Sequence, residues 1–172
     1  MLLDEATGLV GGHLWAESRL FETLGAWVAS TDEPAAKLLF DRHSQHHAWR
    51  AQQWWDRLPV LADVDRDRLI QPPTPAAAAG AAALAGLEGA TARLAGVYRV
   101  ALPRLFAGYQ RHRQRVDPAS DGSAMRTLDL LMPDVAGDWR EGEVILQGLL
   151  RDLSGVDQAA ATVALLERIL TS

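Results

Sequence analysis

Residues 8–29 read GLVGGHLWAESRLFETLGAWVA, and this stretch sets the fold class. Because an α-helix completes a turn in about 3.6 residues, apolar side chains spaced by three, four or seven residues share one face. The stretch therefore predicts an amphipathic helix that packs one face in the core. The residues of that face are Val10, Leu14, Phe21, Leu24 and Val28.

A second helix and a long connection follow. Asp32 is the expected N-cap of the second helix, with Pro34 in its first turn, and Pro59 ends the helix near Leu58. Residues 59–75 then predict a connection without regular structure. A link of this length suits a chain that crosses the end of a helical bundle.

The remainder of the chain is also predicted to be helical. Thr74 and Pro75 form a second pair of N-cap and first-turn residues. Further predicted elements are a small-residue helix over 76–89, a third long helix over 90–116 kinked at Pro103, a turn over 117–122, a fourth helix over 123–153 containing Pro133, a break at Gly155 and a short amphipathic helix over 157–170.

The bulk composition limits the classes of protein to which the chain can belong. A length of 172 residues with 48% apolar content predicts one folded domain over residues 1–172. The absence of cysteine excludes disulfides and thiolate metal sites. A net charge of −5 with scattered basic residues argues against nucleic-acid binding.

The sequence also predicts a cytoplasmic protein without membrane association. No stretch approaches the roughly 20 apolar residues that span a bilayer. Residues 1–3 are followed at once by Asp4 and Glu5, without the basic segment and apolar run of a secretory signal.

Polar residues interrupt the apolar faces of the first two helices. An advance of about 100° per residue places Glu17 at the centre of the first face, and His43, His47 and Arg50 on the second, with His46 at its flank. Two histidines at i and i+4 can hold a metal ion, with Glu17 as a third ligand. Because a buried unpaired carboxylate is costly, Glu17 needs a metal ion, a protonated histidine or Arg50.

The third and fourth predicted helices differ in the side chains that they direct toward the core. The third presents Tyr98, Tyr109 and His112, and Glu17 is an available acceptor for a phenol hydroxyl. The fourth has Val135 at the centre of an apolar line and is expected to contribute packing without metal ligands. Its acids are placed toward or beyond the edge of that line (Asp138, Glu141) or further away (Asp129, Asp134).

This layout resembles the ferritin-like superfamily over residues 8–153. It consists of a Glu on the first helix, a His pair on the second, a long crossover and two further helices. Residues 91–99 (TARLAGVYR) and 134–143 (DVAGDWREGE) are also similar to uncharacterised ferritin-like proteins of actinobacteria. The resemblance implies an all-α, four-helix bundle with a long crossover between helices 2 and 3, here followed by a short C-terminal helix. Many members bind two iron ions for oxidation or oxygen activation.

The ligand pattern of the two-iron members is incomplete in this chain. That pattern takes one Glu from each of two helices and Glu-x-x-His from each of the other two. Glu17 matches the first Glu, but residues 91–116 contain no acid. The other departures are His43 in place of Glu before x-x-His46, and Val135 and Asp138 in place of the last Glu and His. We therefore predict that a complete di-iron centre is absent.

The sequence leaves three functions open. The first is a binding or structural protein without a cofactor, stabilised by a buried network of Glu17, His43, His47, Arg50 and Tyr98. The second is a metal-dependent oxidoreductase or hydroxylase, or a metal-free acid–base site, centred on Glu17, His43 and His47. His46 is a further candidate ligand for iron or another divalent metal. The third is a degraded ferroxidase or iron-storage protein.

The expected partners are a small molecule in the bundle core and a second copy of the chain. The pocket candidates are Glu17, His43, His47, Arg50, Tyr98 and His112. Trp15 and Trp55 are predicted to project away from the core, so a homodimer that buries them is expected.

Overall fold

The computed structural model describes residues 3–60, 62, 65–117 and 119–172, and all regular structure in that part is helical. The prediction of an all-helical chain is therefore confirmed. None of the helices in the described part is both long and apolar enough to cross a membrane. The elements are α1 (Leu3–Ala29), α2 (Pro34–Trp55), a short 3₁₀ helix (Arg66–Leu69), α3 (Pro75–Ala85), α4 (Ala90–Ala95), a π-helical segment (Gly96–Ala101), α5 (Leu102–Arg115), α6 (Gly122–Leu149) and α7 (Leu153–Leu170).

The long helices pack in a closed order around the core. α1 lies along α2, α2 contacts α6, α6 contacts α5, and α5 contacts α1. α7 packs against α3, α4 and the π-helical segment. Fully buried side chains from these elements meet in one core, among them Leu24, Phe40, Trp54, Leu94, Leu128 and Leu146.

Several of the predicted helix boundaries were wrong, and the connection predicted over 59–75 contains the short 3₁₀ helix. Glu33, and not Asp32, caps α2, because its side chain accepts a hydrogen bond from the Ala35 N–H. The chain breaks before Asp152, whose carboxylate caps α7 by accepting from the Gly155 N–H. Gly155 thus lies in the first turn of α7 and is not the break. The predicted cap at Thr74 is confirmed.

The third helix changes its winding ahead of Pro103. Proline has no N–H, so the hydrogen bond back to residue 99 cannot form. The π-helical segment Gly96–Ala101 ends two residues before the proline and joins α4 to α5. Such segments are rare and frequently mark functional sites. Tyr98 lies within this one.

Several aromatic side chains lie elsewhere than predicted. Phe21 is 44% exposed, and Leu20 and Trp27 of α1 are buried instead. Trp15 and Trp55 are half-buried and do not project from the surface. Trp55 packs at the edge of the core under the guanidinium of Arg66, which lies 4.3 Å from its ring. The dimer that these tryptophans suggested remains a prediction.

Gly142 lets α6 approach the π-helical segment closely. A Cβ at this position would lie 2.2 Å from Cδ1 of Tyr98, closer than any real contact. A Cβ placed on Gly137, on the same helix, would meet no neighbouring atom within 4 Å. The missing side chain at Gly142 therefore provides the space for the Tyr98 ring.

These two glycines give a matched test of the packing. We expect Gly142→Ala to lower the free energy of unfolding by about 1–3 kcal/mol, because the methyl group overpacks against Tyr98. Gly137→Ala should raise it by roughly 0.5–1 kcal/mol, since alanine favours the helix. Urea unfolding of both variants measures the difference. Equal effects would contradict the close approach at Gly142.

Candidate functional site

The pocket candidates named from the sequence are all buried. They come from α1, α2, the π-helical segment and α5, and none is more than 1% exposed. They do not form one group, however. The structure separates them into a carboxylate–guanidinium cluster, a histidine–carboxylate group near the surface and a pair of stacked histidines.

Glu17 is the acceptor at the centre of the first cluster. Its carboxylate receives hydrogen bonds from Nε of Arg50 at 3.1 Å, from the Tyr109 hydroxyl at 2.5 Å and from Nδ1 of His47. Burial alone would raise the pKa of Glu17, but Arg50 and His47 outweigh it and hold that pKa below its ordinary value. Glu17 is therefore an ionised carboxylate with three donors, and the partner that its burial required is now identified.

Arg50 links three helices through its guanidinium. It lies on α2, is fully buried, and donates to Glu17 of α1 and to Asp134 and Asp138 of α6. The bond to Asp138 is 2.9 Å long. The surrounding carboxylates raise the pKa of Arg50 despite its burial, which would lower that pKa. Arg50 is thus a permanent cation inside the protein.

The prediction that α6 contributes only packing was wrong. Asp138 is only 4% exposed, and both Asp134 and Asp138 bind Arg50. Asp138 is three residues after Val135 and so lies about 60° from it around the helix. That angle places Asp138 at the margin of the buried face. Asp138 is buried there because it pairs with Arg50, a cation on the facing helix.

A second group of donors lies where α2 faces α6. Nδ1 of His46 is 2.8 Å from Oδ1 of Asp138, and Nε2 of His43 is 3.4 Å from the same oxygen. Nε2 of His43 is also 3.1 Å from Oε2 of Glu141. The side chains of His46 and Glu141 are 37% and 46% exposed, so this group opens to solvent.

The structure brings together only some of the four predicted metal ligands, and metal binding by them stays a prediction. Of the four candidates, His43 and His46 lie together with one carboxylate, whereas Glu17 pairs with His47 and with Arg50. Asp138 and Glu141 were missed. The signal was present as His43-x-x-His46 and Asp138-x-x-Glu141, two pairs with the same i, i+3 spacing.

Tyr98 holds the far side of the His43 ring. Its hydroxyl is 2.8 Å from Nδ1 of His43, and it does not reach Glu17. Burial lowers the pKa of His43, against the opposing effects of Asp138 and Glu141. Because a hydroxyl both donates and accepts, Tyr98 can satisfy either tautomer of the neutral ring.

His112 lies at the other end of the network, next to His13. Nε2 of His13 is 3.1 Å from Nδ1 of His112, and the two rings stack with centroids 5.1 Å apart. Trp54 packs against both rings and donates to the Tyr109 hydroxyl at 2.7 Å. Within the described part, Nε2 of His112 is buried without a hydrogen-bond partner.

Comparison of the chain with protein-family models, with curated proteins and with solved structures finds no match. The residues and their geometry are thus the basis on which a function can be inferred.

We predict that replacing Arg50 causes a large and specific loss of stability. Arg50→Met removes the cation and leaves Glu17 and Asp138 buried without it, which should lower the free energy of unfolding by about 3–5 kcal/mol. Adding Glu17→Gln to this variant should restore part of the loss, because the uncompensated charge is then gone. Urea unfolding near pH 7 measures both effects.

Arg19→Met is the matched control for that substitution. Arg19 pairs with Glu22 on the exposed face of α1, and an exposed pair contributes less than about 1 kcal/mol. If Arg50→Met cost no more than Arg19→Met, the cluster would not have the role described.

The buried imidazole of His13 should make the stability of the fold depend on pH. Burial, with smaller contributions from His112 and Arg111, lowers the pKa of His13 from 6.5 to about 3, against the attraction of Glu17. Between these values the unfolded chain binds a proton that the folded chain excludes. Stability should therefore fall as the pH drops below 6.5, by up to about 1.4 kcal/mol per pH unit.

His13→Phe tests this assignment while keeping an aromatic ring in place. Chemical unfolding from pH 6.5 down to about pH 5 should give a smaller slope for the variant than for the wild type. Equal slopes would show that His13 already binds its proton in the folded state.

Proposed function

We propose that this chain is a ferritin-like helical bundle that binds a single divalent metal ion through His43, His46 and Asp138. The observation that carries the proposal is that one donor atom from each of these side chains lies within 4.8 Å of the other two. Glu141 is a candidate fourth ligand, because its carboxylate lies next to Nε2 of His43. The donors belong to two helices that pack against each other, α2 and α6.

The donor set and its spacing suit a transition metal. Metal–ligand bonds of about 2.1 Å place neighbouring donors about 3–4 Å apart. The separations of His46 and His43 from Oδ1 of Asp138, 2.8 and 3.4 Å, are close to that range. Two imidazoles with one or two carboxylates suit zinc, and also ferrous iron.

The surrounding side chains support the same donors. Metal-binding histidines donate their second N–H to a fixed acceptor, and metal-binding carboxylates are themselves hydrogen-bonded. Tyr98 lies on Nδ1 of His43, so that Nε2 can face the ion. Arg50 holds Oδ2 of Asp138, and Oδ1 remains directed to the histidines.

A centre with two iron ions does not fit these residues. Arg50 already lies among Glu17, Asp134 and Asp138, which are the carboxylates that a second ion would need. The third helix contributes the phenols of Tyr98 and Tyr109, where that centre requires a carboxylate. A permanent guanidinium thus stands in place of a second metal cation, and one ion remains. When bound, that ion would supply Lewis acidity toward an oxygen ligand.

A purely structural role is the second candidate. It is favoured by the bonds from Arg50 to α1 and α6, which fix three helices relative to one another without any ion. In that case the histidine–carboxylate group extends the hydrogen-bond network around Arg50. Metal binding distinguishes the two functions.

Calorimetric titration of the metal-free protein with Zn²⁺, and separately with Co²⁺, tests the proposal. We expect one ion per chain. His46→Ala and Asp138→Asn should each weaken binding by more than about 100-fold, since loss of a direct ligand exceeds the effect of losing a supporting residue. His46 is half-exposed, so its variant should stay folded, which circular dichroism checks.

Two exposed positions on the same helices serve as controls. Gln45→Ala on α2 and Asp129→Asn on α6 should bind the ions as the wild type does. If the wild type bound no stoichiometric ion, or if all four variants retained its affinity, the metal site would be excluded and the structural role favoured.

A further inference from the structure

A cavity of about 600 Å³ lies apart from the histidine–carboxylate group of α2 and α6 and shares no lining residue with it. It is bounded by α1, α3, α5 with the preceding π-helical segment, and α7. Its volume is within the range of about 300–1,000 Å³ that is typical of small-molecule sites. Neither His43, His46 nor Asp138 lines it.

Small residues on facing helices leave this space open. The small lining residues include Gly12 and Ala16 of α1, Ala77 of α3 and Gly108 of α5. Large apolar side chains form much of the rest of the wall, so the interior suits a hydrocarbon chain. The large apolar lining residues include Leu20, Leu84, Val100, Leu105, Leu166 and Leu170.

Arginines line the cavity in spite of the net negative charge of the protein. Arg104, Arg111 and Arg115 are spaced by seven and four residues along α5, so they share one face. Arg104 pairs with Glu167, and Arg115 pairs with Glu5. Arg19 of α1, also in the lining, pairs with Glu22.

Arg111 differs from the other three arginines. No carboxylate in the described part of the chain forms an ion pair with it, and its side chain is exposed. A Cβ placed on Gly108 would lie 3.9 Å from a terminal nitrogen of Arg111 and 3.7 Å from Cε1 of His13. The exposed guanidinium of Arg111 thus lies next to the backbone of Gly108, and it lines the cavity together with His13 and His112.

We infer that this cavity binds a single-chain amphiphile with a carboxylate head group, such as a medium-chain fatty acid. The hydrocarbon chain lies between α1 on one side and α3 and α7 on the other, among the apolar lining residues. The carboxylate lies over Gly108 and accepts hydrogen bonds from the Arg111 guanidinium. A planar guanidinium matches a carboxylate with two parallel bonds, which fixes the orientation of the ligand.

Binding of decanoate and of methyl decanoate to the full chain tests the inference. The two probes have the same hydrocarbon chain, but the ester has no charge. We expect one decanoate per chain by calorimetry, and an affinity for the ester at least about tenfold lower, as expected from the loss of a charge-assisted hydrogen bond. Equal affinities, or no binding of decanoate, would overturn the inference.

Matched variants test whether Arg111 contacts the carboxylate head group. Arg111→Gln should remove most of the preference for decanoate, whereas Arg113→Gln, which pairs with Asp129 outside the cavity lining, should keep it. If Arg113→Gln had the same effect as Arg111→Gln, the preference would reflect general electrostatics and the proposed contact would be wrong.

A second pair of variants tests the position of the hydrocarbon chain. Ala77→Phe fills the cavity from α3 and should weaken binding of both probes at least about tenfold. Ala79→Phe places the same ring on the exposed face of α3, outside the lining, and should leave binding unchanged. Unchanged binding in the folded Ala77→Phe variant would place the ligand elsewhere.

Discussion

The buried guanidinium of Arg50 is the interaction on which the arrangement of the helices depends. A charge removed from water is tolerated only where opposite charges and hydrogen bonds surround it. Arg50 meets this condition by binding Glu17 of α1 and two aspartates of α6. A rotation of any of these helices would separate a buried charge from its partner. The cluster therefore fixes the relative orientation of α1, α2 and α6.

The same cluster divides the polar interior into two parts with different chemistry. Both carboxylate oxygens of Glu17 already have a donor, so Glu17 needs no ion. Asp138 belongs to both parts, because one of its oxygens binds Arg50 and the other faces His46. At the second part Oδ1 of Asp138 faces two imidazoles, and the cation there, Arg42, pairs with Glu141 at the exposed edge of the group. This difference is the physical reason for proposing one metal ion there and none beside Arg50.

An aromatic layer separates the polar cluster from the apolar cavity. Trp54 and Tyr109 lie on the side of Glu17, and His13 and His112 line the cavity. The cavity exists because small residues occupy facing positions on α1, α3 and α5, where larger ones would fill the core. The proposed metal site and the proposed ligand site thus rest on separate residues, and one can be present without the other.

The sequence by itself determined the helices and which residues of α2 turn inward, because periodicity is a local property. It also identified Glu17 as a buried acid that needs a cation. It did not determine that Arg50 is that cation, that Asp138 faces the histidines, or that Phe21 is exposed and Trp27 buried. Periodicity gives the angle of a side chain around its own helix axis, but not the group that the neighbouring helix presents to it. Those pairings, and the space between α1, α3, α5 and α7, arise only when the helices pack, so the tertiary structure alone decided them.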